Sequence, residues 1–153
     1  GAEPAQKGHP CIPLPLPYLN NDNLDFSFSG LKSAVLNVLN QAKMAGTEVS
    51  VPDIAASFQR AVVDVLTEHL LRAAKETGER TIAIAGGVAA NSCLRERLST
   101  ACVERGLRFV YPRPVLCTDN AAMIGAAAYY EYIAGARSGW DLNAVPNLKL
   151  GER

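Results

Sequence analysis

One short segment limits the possible folds of this chain more than any other. Residues 81–85 (TIAIA) favour β-structure and are apolar on both faces, and they run directly into Gly86-Gly87 and a new helical pattern. A strand that is apolar on both faces is typical of the interior of a parallel sheet covered by helices. The segment therefore predicts an α/β fold in which strand, tight turn and helix follow one another.

The preceding residues contribute a further strand and two helices to the prediction. Residues 26–29 (FSFS) alternate apolar and polar side chains, as a short half-buried strand does, and a helical period follows from Gly30. Residues 50–53 (SVPD) combine the hydroxyl, early proline and acid of a helix N-terminus, and that helical period continues to about Gly78. These patterns place two helices before the buried strand.

The following residues repeat the alternation of helix and strand. A helix is predicted from about Ala89 to Arg105, a strand over 108–111 that stops at Pro112, and a last helix after 118–120 (TDN). The predicted order is β-α-α-β-α-β-α, which is typical of an α/β sheet with parallel pairs.

The ends of the chain differ in composition from its centre. Five of the nine prolines lie within the first 17 residues, so residues 1–24 are predicted to form an extended arm. Residues 25–135 are predicted to form an α/β half-domain and residues 136–153 an irregular tail. A chain that opens in such a tether is interpreted as a piece of a longer protein.

Composition excludes several classes of protein. The 153 residues are 48% hydrophobic and carry 15 Lys+Arg against 15 Asp+Glu, which argues against disorder and against a general basic surface for nucleic acid. No apolar stretch approaches the roughly 18 residues of a membrane span. The four cysteines form no C-x-x-C pair and the two histidines are far apart, so no zinc framework is visible. We expect a cytoplasmic protein without a membrane partner.

The turn after the buried strand is the first candidate site. Ligands of open α/β sheets lie beyond the carboxyl ends of strands, and two successive glycines let a ligand approach the backbone closely. A side chain at Gly87 is expected to fill that space and to have an unfavourable φ, and Asn91 offers a donor and an acceptor. Taken alone, Gly86-Gly87 is interpreted as a tight turn in preference to a ligand site.

Two other positions have alternative interpretations. Thr118 or Asp119 caps the last helix, or Asp119 is a ligand for a hard cation. Lys32 and Ser29 face a cleft, or they are a solvated lysine and a strand-end cap. The residues alone do not decide between these alternatives.

Four blocks of the sequence resemble one family in order and spacing. They are residues 25–32 (DFSFSGLK), 53–59 (DIAASFQ), 85–91 (AGGVAAN, followed by Leu94-Arg95) and 117–124 (CTDNAAMI). Together they are similar to the bacterial-type tRNA threonylcarbamoyladenosine transferases, once labelled O-sialoglycoprotein endopeptidases. The resemblance extends from about residue 25 to 146.

The resemblance implies a fold and a reaction. The fold is the carboxy-terminal part of an actin-like, sugar-kinase-like and Hsp70-like ATPase, with ribonuclease-H-like halves, a mixed sheet and flanking helices. The acyltransferase reaction moves the threonylcarbamoyl group from threonylcarbamoyl-adenylate to the exocyclic amine of the adenosine 3′ of the anticodon, in tRNAs that read A-starting codons.

Site residues follow from the matched positions. The resemblance implies that Asn91, Gly86 and Gly87 contact the adenylate or ATP, and that Asp119 binds one divalent metal ion, for which iron is expected. It implies tRNA, a paralogous dimerising subunit and a small ATPase as partners. No catalytic residue is assigned.

The chain departs from the family pattern in its metal and phosphate motifs. The H-x-x-x-H pair and the H-V-S-G-G strand are absent from these residues, so the chain is expected to supply one wall of the active site and to be inactive alone. The alternative is a non-catalytic regulatory or scaffold module with an ATPase-like fold. A zinc protease is disfavoured because two isolated histidines make no H-E-x-x-H site.

Overall fold

The computed structural model describes residues 2–15, 24–25 and 27–149, and shows an α/β chain. The chain divides into two compact units, Gly1–Cys117 and Thr118–Arg153. The helices and strands are α1 (Ala2–Lys7), α2 (Ser29–Ala45), α3 (Val51–Thr77), β1 (Thr81–Ala83), α4 (Ser92–Glu104), β2 (Arg108–Val110) and α5 (Ala121–Ile133).

Helix α3 is the longest element, and its bounds confirm the sequence prediction. The Ser50 hydroxyl caps its N-terminus by accepting a hydrogen bond from the Asp53 amide at 3.3 Å. Pro52 lies in the first turn, where its missing N–H has no intrahelical acceptor. Gly78 ends the helix in the left-handed conformation, with φ 74°.

The core of the first unit lies where α3 and α4 meet the two strands. Strands β1 and β2 are parallel, with Ile82 opposite Phe109. Val63 of α3 packs with Leu94 and Leu98 of α4, and Leu98 is completely buried. The helices therefore provide most of the apolar surface that holds this short sheet in place.

Strand β1 is shorter and less covered than the sequence predicted. Only Ile82 is buried in it, whereas Thr81 and Ala83 are exposed. Among the described residues the sheet has two strands. The expectation that both faces of β1 are buried is wrong for this chain, because the helices of the first unit pack against only one face of β1.

The first predicted strand is also wrong where the structure describes it. Phe28 has helical backbone angles, its carbonyl accepts a hydrogen bond from the Lys32 amide at 3.0 Å, and α2 begins at Ser29. The local helix signal from Gly30 onwards therefore outweighs the apolar alternation of FSFS. Phe26 lies outside the described residues.

The amino-terminal arm is not extended throughout. Ala2–Lys7 form α1, which packs against α3 and buries Ala5. Pro4 is compatible with this short helix because it lies in the first turn, where an amide donor is not needed. Residues 16–23 of the predicted arm lie outside the described residues.

The segment after α1 is attached to the start of α3 by backbone hydrogen bonds. The His9 amide donates to Oδ1 of Asp53 at 2.7 Å, and the Ile12 amide donates to Oγ of Ser57 at 3.0 Å. A Cβ at Gly8 would lie 2.0 Å from the carbonyl oxygen of Pro52. The approach is therefore close enough to require glycine at this position.

The second unit contains α5 and the tail. All residues of α5 are exposed. This is unusual for a helix of this composition, because Glu131 is its one charged residue and most of the others are apolar. Residues 134–149 contain turns but no helix or strand. The structural division at 117/118 differs from the predicted boundary at 135/136. None of the described helices is both long enough and apolar enough to cross a bilayer.

We expect Asp53→Ala to release the segment after α1. The hydrogen bond from the His9 amide is the main cause that lowers the pKa of Asp53, and the Ser50 hydroxyl adds to it. A lowered pKa in the folded state means that this stabilisation is present above the ordinary aspartate pKa of about 3.9 and is lost as the pH falls through the folded value. Hydrogen exchange of the His9 amide at pH 7 should be faster in Asp53→Ala.

Glu48→Gln is the matched control, since it removes an exposed carboxylate just before the same helix. Equal exchange of the His9 amide in Asp53→Ala and the unmodified protein would contradict the attachment.

Candidate functional site

The first candidate site begins where β1 ends. The strand pairing continues one residue beyond β1, because the Ile84 amide donates to the carbonyl of Val110 at 3.1 Å. The chain then leaves the sheet at Gly86. Because β1 and β2 are parallel, the segments that follow them emerge at the same end of the sheet, which is the end where α/β proteins bind ligands.

Gly86 makes the sharp change of direction. Its φ of 80° and ψ of 176° lie in a region that only glycine adopts readily. Gly87–Ala90 then form a single turn of 3-10 helix, closed by a hydrogen bond from the Ala89 amide to the Gly86 carbonyl at 3.0 Å. The conformational requirement for glycine therefore lies at the first glycine.

Gly87 has a different role from Gly86. Its φ is not in the left-handed region, and a Cβ built on it meets no described atom within 4 Å. The expectation of an unfavourable φ at Gly87 is therefore wrong. The open space beside its exposed backbone is the room that a bound ligand would need.

Asn91 connects the turn to two helices. Its Oδ1 accepts a hydrogen bond from the Leu94 amide at 3.0 Å and so caps α4. Its Nδ2 donates to Oε1 of Gln59 on α3 at 3.0 Å. The amide oxygen is therefore committed to the fold, whereas an amide nitrogen carries two hydrogens and keeps one for another acceptor.

Gln59 is a part of this site that sequence reasoning did not identify. It lies within one of the four family blocks, but no local pattern in that block indicates a partner 32 residues away. Asn91 and Gln59 both line a cavity of about 330 Å³ with Phe58 and Val62.

A second, more apolar cavity of about 500 Å³ lies beside the first. Lys32 lines it together with Phe58, Ile84 and Val88, among others. Ser29 does not line it. The structure therefore brings Lys32, but not Ser29, to a cleft next to the turn.

Two of the four cysteine side chains, Cys93 and Cys102, are kept in the thiol form by burial. All four are free thiols. Burial is the main cause that raises the pKa of Cys93 and of Cys102 above the ordinary thiol value, so both are protonated near neutral pH.

Asp119 belongs to the second unit and does not cap α5. The cap is Asn120, whose Oδ1 accepts a hydrogen bond from the Met123 amide at 3.0 Å and whose Nδ2 donates to the Thr118 carbonyl at 2.9 Å. The interpretation of Thr118 or Asp119 as the cap is therefore wrong. The exposed Asp119 carboxylate makes no hydrogen bond or ion pair with the residues that the structure describes.

The described residues do not complete a metal site. No group of three or more His, Cys, Asp or Glu side chains within residues 2–15, 24–25 and 27–149 is arranged to hold a metal ion. Asp119 offers one hard oxygen ligand, whereas a divalent cation of this type needs several. Metal binding through this chain alone is not supported by its donor set.

Comparison with known proteins identifies the family. A sequence model of the family described as tRNA N6-adenosine threonylcarbamoyltransferase matches residues 2–126. The chain belongs to this family. Members of the tRNA N6-adenosine threonylcarbamoyltransferase family also share high sequence identity with it. The match includes the whole Gly86–Asn91 turn and Asp119.

Three curated relatives carry the name tRNA N6-adenosine threonylcarbamoyltransferase. The chain is 57% identical to one from Clostridium botulinum (strain Hall) and 56% identical to one from Clostridium beijerinckii, in each case over 94% of the chain and 42% of the relative. It is 52% identical to one from Clostridium kluyveri over 97% of the chain and 44% of the relative. The chain thus spans about two fifths of the length of these family members.

The two adjacent glycines should respond differently to substitution. We expect Gly86→Ala to lower the free energy of unfolding by about 1–3 kcal/mol, because alanine is strained at its backbone angles. Gly87→Ala should change it by no more than about 0.5 kcal/mol, because it meets no atom and has no unusual φ. Denaturant unfolding of both variants measures the contrast, and equal destabilisation would contradict it.

A similar contrast is expected at the start of α5. Asn120→Ala removes the cap and should destabilise the first turn by about 1 kcal/mol, whereas Asp119→Ala should leave it unchanged. Hydrogen exchange of the Met123 amide reports the cap directly. Faster exchange in Asp119→Ala than in Asn120→Ala would show that the cap is misassigned.

Proposed function

We propose that this chain is the carboxy-terminal part of a tRNA threonylcarbamoyltransferase and forms one wall of its active site. The observation that carries the proposal is the Gly86–Asn91 turn, which leaves backbone open to solvent at the carboxyl end of a parallel strand pair. The 57% identity to a relative of that name supports the same conclusion.

The proposed reaction is an acyl transfer. The exocyclic amine of the tRNA adenosine attacks the carbamoyl carbonyl of threonylcarbamoyl-adenylate. A C–N bond forms and the amine nitrogen loses a proton to water, while the C–O bond to the phosphate breaks and AMP leaves with that oxygen and the bonding electron pair. The residues described here are proposed to bind and orient the adenylate, which lowers the barrier by holding the reacting groups together.

Three residues of the turn have separate roles in this binding. Gly86 directs the backbone out of the sheet, and Gly87 leaves the space beside it free of a side chain. Asn91 keeps one amide hydrogen for an adenylate acceptor, while its hydrogen bonds to Leu94 and Gln59 hold the side chain still. A side chain that is fixed before the ligand binds loses little entropy on binding.

The proposed fold of the whole protein is the ribonuclease-H-like ATPase fold with a mixed sheet. Two exposed surfaces of this chain support the presence of further helices or strands that cover them in the whole protein. Thr81 and Ala83 of β1 are exposed, and α5 exposes Ile124, Tyr129 and further apolar side chains on all sides. Helices that are apolar all round are buried in the proteins that contain them.

Asp119 is proposed to supply one carboxylate to a divalent metal ion, with iron as the expected ion. The other ligands would come from residues outside this chain, because the described donor set is incomplete. When bound, the ion would supply a positive charge to the reaction. Binding of tRNA, of a paralogous dimerising subunit and of a small ATPase, and a cytoplasmic location, are part of the same proposal.

The exposed α5 also favours a second function, that of a scaffold module in which this helix binds another protein. The two proposals differ in the ligand that they require. A scaffold module needs no adenylate, so blocking the turn would not affect it. The transferase needs the adenylate, so it loses its activity when the turn is blocked.

We expect Gly87→Val in the full-length enzyme to abolish formation of threonylcarbamoyladenosine in tRNA while the thermal midpoint stays within about 2 °C, a small shift for a surface change. A Cβ at this position meets no described atom within 4 Å, and the added methyl groups are expected to fill the space proposed for the ligand. Asp119→Ala should reduce both metal content and turnover. The chain of 153 residues alone should form no product.

Asn91→Ala is a less specific probe than Gly87→Val because it also removes the cap of α4. Glu48→Gln serves as the control for both. Wild-type turnover in Gly87→Val would overturn the assignment of the turn to the adenylate, and product formed by the 153-residue chain alone would overturn the proposed division of the active site.

A further inference from the structure

Arg95 joins the candidate turn to the segment that follows β2. It lies in the first turn of α4, and its Nε donates a hydrogen bond to the carbonyl of Ala89, at the end of the 3-10 turn. Its Nη2 donates to the carbonyl of Pro112 at 3.0 Å. One guanidinium group therefore contacts the chain after both strands of the parallel pair.

The same side chain makes two further contacts beyond β2. Nη2 lies 3.1 Å from Sγ of Cys117, a residue that is 3% exposed. The guanidinium carbon lies 4.6 Å from the centre of the Tyr111 ring, and that ring in turn lies 5.0 Å from the ring of Phe109 in the core. Arg95 is thus held by two carbonyls, a sulfur and an aromatic face.

The positions of these partners give Arg95 a defined effect. Ala89 is 1% exposed, so its carbonyl depends on a protein donor rather than on water. Without the guanidinium, the 3-10 turn would lose its hydrogen bond to α4 and its link to Pro112. Asn91 would still connect the turn to α3 and α4, but no described side chain would then hold the turn against the segment that follows β2.

The chemistry of arginine fits this position better than that of lysine. The planar guanidinium directs Nε and Nη2 towards separate acceptors and stacks on the ring of Tyr111 at the same time. A lysine ammonium is a compact point charge and cannot make all these contacts from one position.

We propose that Arg95 is a positioning residue for the adenylate-binding turn, which it fixes against the segment Tyr111–Cys117. This proposal rests on the proposed function of the Gly86–Asn91 turn. Arg95 itself does not contact the adenylate; it acts through the carbonyl of Ala89. Its loss therefore weakens adenylate binding more than it slows the chemical step.

The test compares Arg95→Ala and Arg95→Lys with the unmodified full-length enzyme. At saturating tRNA, we expect Arg95→Ala to raise KM for threonylcarbamoyl-adenylate about tenfold, because the turn loses a hydrogen bond from a charged group that holds it in the binding conformation. The kcat should stay within about twofold. Arg95→Lys should give an intermediate KM. Millimolar guanidinium chloride should restore part of the affinity of Arg95→Ala, because the ion can occupy the site of the missing side chain.

Arg105→Ala is the matched control. Arg105 is an exposed arginine at the other end of α4, where its guanidinium donates to the carbonyl of Ala101 and pairs with Glu104. KM should be unchanged in this variant, with or without guanidinium.

The outcomes separate this proposal from the proposed function. If KM is unchanged in Arg95→Ala and kcat falls together with the thermal midpoint, Arg95 is purely structural and the proposal is overturned.

If the unmodified enzyme forms no product, the proposed transferase function fails. Calorimetric titration with AMP then tests Arg95 separately: a raised Kd that guanidinium restores supports the positioning role, and an unchanged Kd overturns it. Arg95→Lys provides the same comparison if Arg95→Ala does not fold.

Discussion

The parallel pairing of β1 with β2 is the constraint on which the first unit depends. Each strand has three residues, so the ladder supplies few hydrogen bonds, and parallel pairs are not joined by a short hairpin. The pair is held by apolar contacts with α3 and α4. Ile82 of β1 packs with Ala74 and Cys102. Phe109 of β2 packs against the cluster of Val63, Leu94 and Leu98. Because this packing fixes both strands side by side, the turn after β1 and the segment after β2 emerge at the same end of the sheet.

The candidate site is therefore an extension of the core rather than a separate loop. Asn91 connects α3 to the start of α4 through Gln59 and the Leu94 amide, and Arg95 connects the turn to the end of β2. These polar contacts fix a segment that has little apolar surface of its own. A Cβ at Gly87 would meet no described atom within 4 Å, and the backbone does not require glycine at this position.

The uncovered surfaces of the chain agree with its partial match to longer relatives. Strand β1 buries one side chain of three, and α5 buries none of its apolar residues. An isolated helix of 13 residues is marginal in water, so most of its stability in a protein comes from packing. The 42% coverage of the Clostridium relatives is consistent with a protein in which other segments provide that packing.

The sequence by itself determined the elements whose signals are local. Ser50 and Gly78 mark the ends of α3, and Pro112 stops β2, because caps and prolines act through the backbone of their immediate neighbours. The four family blocks likewise identified the family, since each is a continuous run of residues that keeps its order and spacing.

Only the tertiary structure decided the features that depend on distant partners. It placed the glycine requirement at Gly86 rather than Gly87, made Asn120 the cap of α5, and paired Asn91 with Gln59. It also folded Ala2–Lys7 onto α3 where the prolines had indicated an extended arm. The physical reason is that a backbone angle or an amide hydrogen bond is selected by whatever packs against it, and those neighbours lie up to 45 residues away along the chain.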